Sequence, residues 1–170
     1  MGLDIRIRIE RFDEGKWVRV PYAVQPWYTR EKAKSGSGFF CSRDEWAKHD
    51  AAVSGGSVST PEVFDARNYG WFSLLADVRG EVWDNPIAAG RGIPEGASYE
   101  IDTSYLHDYL GDHSFTWVSL EELEAYPWDT TFQGELSARD ASSDWPGQVL
   151  PILRTISNGQ PLRLLMGFDS

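Results

Sequence analysis

Three short segments carry the side chains that could do chemistry. Arg67-Asn68-Tyr69 sets a guanidinium, an amide and a phenol at the start of an expected helix. Free backbone N–H groups and the positive dipole end there attract phosphate or carboxylate. The plainer alternative is that Asn68 or Asp65 caps the helix and Arg67 pairs with a surface acid. Gly90-Arg91-Gly92-Ile93-Pro94 allows close backbone approach and offers Arg91 as a fork for an anion. It matches neither the phosphate-loop nor the dinucleotide-binding pattern, and a structural turn explains it equally. His107-Asp108 and Asp112-His113-Ser114 gather two of the three histidines with two carboxylates inside eight residues. Such a group can bind a divalent metal, let His113 move a proton or contact a ligand, or serve as local structure. No clear third ligand follows at metal spacing, so no metal is expected. Cys41 with His49 forms a thiol-imidazole pair only on paper, because Phe39-Phe40-Cys41 reads as a buried apolar patch.

Composition narrows what these groups can meet. With 26 acidic against 16 basic residues, the net charge of -10 opposes the attraction that nucleic-acid binders draw from phosphate backbones. It leaves room for a local basic pocket. Eight tryptophans supply flat surfaces for stacking on a ligand as well as core volume. The single cysteine excludes an internal disulfide and fits a reducing compartment. Charges at Asp4 and Arg6, and the absence of a run of 18 apolar residues, point to a cytoplasmic protein with no leader and no membrane span.

The elements that must position these groups follow from periodicity. Leu3, Ile5, Ile7 and Ile9 alternate with Asp4, Arg6, Arg8 and Glu10, which predicts a half-buried strand. Asp13-Glu14-Gly15 turns it into a second strand over 16–20. Mobile loops are expected near 29–38 and 54–60, with a short helix over 43–53 between them. Phe72, Leu75, Ala76 and Val78 predict a core helix over 68–79 capped at Gly80. An irregular loop over 86–97 and a strand over 114–118 follow, then a helix opened by the Ser119/Glu122 capping box, with Glu121 and Glu122 in its first turn. A helix over 147–156, with Pro151 near its first turn, and an apolar strand over 162–168 close the chain. The whole is expected to be one α+β domain, 1–170: a mainly antiparallel sheet of N-terminal hairpin, central strand and C-terminal strand, packed with three or four helices.

Five scattered pieces resemble a family of small phage and prophage proteins: Met1 to Ile5, Arg67-Asn68-Tyr69 with 74–79, the loop 91–98, Asp112-His113-Ser114 with Trp117 and Leu120, and 163–169. The family pattern carries histidine where this chain has Arg6, and another near position 115, where it has Phe115. A metal site built from those histidines would be incomplete here. What the resemblance implies is a phage origin, with no activity to carry over; from that lifestyle, an accessory protein that meets host defence in the bacterial cytoplasm is expected. Joined to the residue chemistry, it gives a non-catalytic pocket for a phosphorylated or nucleotide-derived small molecule, lined by Arg6, Arg67, Asn68, Tyr69, Arg91, His113 and Trp117. No cofactor, nucleic acid or membrane is expected as a partner, and a homo-oligomer is left open. The alternatives are a hydrolase of a nucleotide-like substrate working through His113, with or without a metal, and an acidic inhibitor of a host protein.

Overall fold

The computed structural model describes residues 2–25, 58–79, 83, 85–98, 110–132 and 135–169. The expectations for the 29–38 loop, the 43–53 helix, Cys41, His49 and His107-Asp108 lie outside the described residues.

The alternating segment forms β1 (Asp4–Asp13). Glu14 and Gly15, with φ of 50° and 82°, make a two-residue turn into β2 (Lys16–Val20), so that Asp13 faces Lys16. Two positive φ angles give the turn the twist that antiparallel strands need. Beyond Pro21, β3 (Tyr22–Gln25) leaves this sheet and pairs in parallel with β4 (Val58–Pro61). Residues 58–60, expected in a mobile loop, are therefore strand. A 3-10 turn (Glu62–Phe64) leads to α1 (Tyr69–Ala76). After the irregular stretch 85–98 come β5 (His113–Ser119), α2 (Leu120–Ala125), the small antiparallel pair β6 (Thr131–Phe132) and β7 (Leu136–Ser137), α3 (Ala138–Ala141), α4 (Trp145–Ser157) and β8 (Leu162–Asp169).

The main sheet has the order β2-β1-β8-β5, antiparallel throughout. With four helices among the described residues, the fold is α+β, as the sequence predicts. Ile5, Ile7, Ile9, Leu164, Met166 and Phe168 project from one face into a core shared with α1 and α4. At its centre Trp71 stacks on Trp145 with centroids 4.5 Å apart, and Trp128 lies 6.0 and 6.1 Å from the two. Burying each large apolar side chain contributes roughly 1.5–3 kcal/mol, so this face supplies most of the stability. Among the described residues no helix is long and apolar enough to cross a membrane.

The opposite face departs from expectation. Alternation suggests that Asp4, Arg6 and Arg8 are either solvated or the floor of an anion site. Arg6 is exposed, but Arg8 is buried, together with Glu10 and Arg163. Ile93 and Ala97 of the 85–98 stretch, with Leu110, Phe115, Leu165 and Trp117, form a second apolar layer on that face. A period of two shows that a strand has two faces, not that a second layer covers the polar one.

Two helix boundaries also differ. α1 ends at Ala76 rather than near Gly80, because Asp77 takes the left-handed conformation (φ 57°) while its N–H and that of Val78 close on Ser73 O and Phe72 O. α4 starts at Trp145, capped by Asp144, which puts Pro151 well inside the helix rather than near its first turn.

Candidate functional site

Five of the seven residues expected to bind ligand meet at one end of the main sheet. The register sets Asp4 opposite Asp169, Ile5 opposite Phe168, and Phe168 opposite His113. Arg67 reaches this end to donate from Nε to Asp4 Oδ1 at 2.8 Å. That hydrogen bond, with the charge of Asp4, raises the guanidinium's pKa. Arg6 donates from Nε and Nη2 to Asp169 Oδ2, both at 3.0 Å. Asn68 is the cap of α1: its Oδ1 accepts from Trp71 N at 3.0 Å, and its Nδ2 donates to Ser143 Oγ. Tyr69 Oη accepts from Leu3 N at 3.4 Å. His113 Nδ1 lies 2.8 Å from Ser114 Oγ, its Nε2 is 3.8 Å from Asp112 Oδ1, and its ring stacks over Phe168. Each arginine here already faces a carboxylate, which is the plainer of the two readings of Arg67 and Asn68.

Arg91 and Trp117 sit elsewhere. Trp117 stands opposite Leu165, three residues along β8 from Phe168 and so roughly 10 Å away. It packs in the second apolar layer, whereas Phe168, under His113, belongs to the main core. The Arg91 guanidinium lies 5.3 Å from the Trp117 ring centre and donates to Trp117 O, Ile87 O and Glu122. That hydrogen bond is the main reason the Glu122 carboxyl titrates below its ordinary range. Arg91 thus clamps the 85–98 stretch to the corner between β5 and α2. Arg67, Arg91 and His113 do not share one cleft.

Two concavities among the described residues are lined by none of the seven. One, of about 790 Å³, lies between the β1-β2 hairpin and α4, with Val18, Val20, Val58, Ile152 and Ile156 on its walls. Arg11 crosses it, held by Asp13 and by Ile156 O at 2.8 Å. The other, of about 660 Å³, lies between the end of α2 and one side of α4, lined among others by Tyr126, Trp128, Arg139, Leu150 and Arg154.

The second cleft is built from local rules. α2 stops before Pro127, and Trp128 is fixed by its indole N–H donating to Leu123 O at 2.7 Å. The backbone N–H of Arg139 meets Trp128 O, which hangs α3 on this turn. Arg139 then donates from Nε to Asp129 Oδ1 and from Nη1 to Asp144 Oδ1, each at 2.7 Å. Both bonds raise the pKa of Arg139, and the first lowers that of Asp129. Asp144 also accepts from Gly147 N as the cap of α4. Farther along α4, Arg154 pairs with Glu124. Partial burial pushes the Tyr126 phenol up. Sequence reasoning missed this cleft, although its trace is visible in Tyr126-Pro127-Trp128-Asp129 and Asp144-Trp145-Pro146-Gly147, two aromatic-proline runs beside acids, with Arg139 between them.

Comparison with known proteins finds no match among family models, curated proteins or solved structures. Function is therefore read from geometry. Among the described residues no group of three or more His, Cys, Asp or Glu side chains is placed to hold a metal ion. What the second cleft offers is two guanidinium groups, each paired with a carboxylate, and two aromatic rings around one hollow.

Proposed function

We propose that the protein captures a small phosphorylated, nucleotide-like molecule in the Tyr126 cleft and holds it without converting it. The observation that carries this reading is that Arg139, Arg154 and Tyr126 line a single hollow of about 660 Å³, within the usual size of a small-molecule site. Guanidinium groups recognise phosphate through bidentate charge-assisted hydrogen bonds, and a phenol ring stacks on a base. The carboxylates that now meet these arginines do so at the surface, where ion pairs are weak, so a phosphate can replace them. The net charge of -10 does not forbid this, since repulsion beyond about 8 Å is largely screened at physiological ionic strength. The resemblance of short segments implies only a phage origin, and sequestration of a signalling nucleotide in the host bacterial cytoplasm is the role that such a lifestyle suggests.

Calorimetric titration with cyclic nucleotides and ADP-ribose derivatives, followed by mass spectrometry of the recovered ligand, tests this. The expected result is binding, recovery of unchanged ligand, and affinity at least about tenfold weaker in Arg139→Ala, with Arg67→Ala unaffected. Absence of binding to every probe overturns the reading. Loss in Arg67→Ala instead moves the seat to the sheet end. Recovery of a cleaved product favours a hydrolase, for which the contact between His113 and Ser114 is the relevant geometry.

A further inference from the structure

Resting on that reading, we infer that the ligand carries at least two anionic groups, as a diphosphate does, and that Asp129 and Glu124 compete with it for the same guanidinium edges.

Arg139 belongs to α3 and Arg154 to α4, so one cleft holds two independent cations. Their present partners mark where anionic oxygens fit. Asp129 takes the Nε/Nη2 edge of Arg139 with both its oxygens, at 2.7 and 3.4 Å, the geometry in which an arginine grips a phosphate. Glu124 sits on Nε of Arg154. Asp144 has a different standing. It is tied to Gly147 N as a helix cap and keeps Nη1 of Arg139 occupied, which fixes the guanidinium plane while leaving the other edge exchangeable. Asp129 is 79% exposed, so water already competes for its contact.

A single phosphate satisfies one fork. It leaves the second arginine with its carboxylate and gains nothing from it. A ligand with two linked anionic groups gains the second arginine as an intramolecular contact, provided its span matches the separation of the two edges. Tyr126 follows Glu124 by two residues and precedes Asp129 by three, so its ring belongs to the segment that bears both competitors and serves the apolar part of the ligand.

Titration with inorganic phosphate, pyrophosphate and ADP-ribose separates this from the simpler reading. Pyrophosphate is expected to bind at least about tenfold more tightly than phosphate. Asp129→Asn and Glu124→Gln are each expected to tighten it further, because each removes a competing charge, and Arg154→Ala is expected to reduce pyrophosphate to the affinity of phosphate. Equal binding of phosphate and pyrophosphate, or no gain in either neutralised variant, overturns the inference while nucleotide binding leaves the proposed function standing. No binding of any probe removes both.

Discussion

Arg163 donates from Nε to Glu10 Oε2 over 2.8 Å at a place where the two side chains are 5% and 0% exposed. The same carboxylate accepts from Ser98 N at 2.8 Å, and the Arg163 guanidinium lies 3.8 Å from the Trp17 ring centre. A buried carboxylate thus joins β1, β8 and the 85–98 stretch. Glu10→Ala leaves Arg163 charged and without this partner in a dry layer, and is expected to cost about 3–5 kcal/mol in urea unfolding. Replacing Glu10 and Arg163 together by leucine is expected to cost clearly less than the sum of the single changes, because no buried charge is then stranded.

Gly167 in β8 has a steric reason. A Cβ there would run into Leu110 O and press within 2.9 Å of the Phe115 ring, where β5 slips register and Ser114 takes φ 53°. Gly167→Ala is expected to lower stability by about 2–3 kcal/mol, measured by denaturant midpoint, since backbone on one side and a ring on the other cannot both yield.

Glu122 does two jobs at once. It completes the capping box of α2, with Ser119 N donating to Oε2 at 2.9 Å and Ser119 Oγ accepting from Glu122 N, and it receives Arg91. Ser119→Ala is expected to cost about 1 kcal/mol. Glu122→Ala is expected to cost more and, in hydrogen exchange, to release amides of 87–98 that Ser119→Ala leaves protected. Because its folded-state pKa is lowered, the contribution of Glu122 is present above its ordinary value and is lost as pH falls through the folded one.

Asp65 works in the opposite sense. Burial lifts its carboxyl from 3.8 to about 6, while Arg6 pulls it back in part. Between about pH 4 and 6 the folded chain therefore holds a proton that the unfolded chain has lost, so this group's contribution falls as pH rises. Asp65→Asn is expected to gain on the wild type across that window by on the order of 2–3 kcal/mol, read from urea midpoints at each pH.

These cases show which features the chain displays openly. The alternation from Leu3 to Ile9, the Glu14-Gly15 turn and the Ser119/Glu122 box are local, and each forms where its pattern stands. The parallel pairing of Tyr22 with Val58 joins residues far apart in sequence and depends on no periodic signal. The burial of Arg8 and Glu10 was hidden for a related reason: it requires the 85–98 stretch, which has no regular pattern, to fold back over them. At the sheet end, the sequence showed which residues were arginines but not that Arg6 would meet Asp169, because register chose that partner. The Tyr126 cleft was least legible, since its walls come from three elements whose polar residues look ordinary one at a time.

The tryptophan stack has an optical consequence. Indoles as close as Trp71 and Trp145, nearly parallel at 26°, share their electronic excitation, which gives this core its own signature in near-ultraviolet circular dichroism. Trp128 belongs to that trio and also lines the Tyr126 cleft. The molecule therefore carries an unlabelled reporter with one end among the packed helices and the other facing whatever enters.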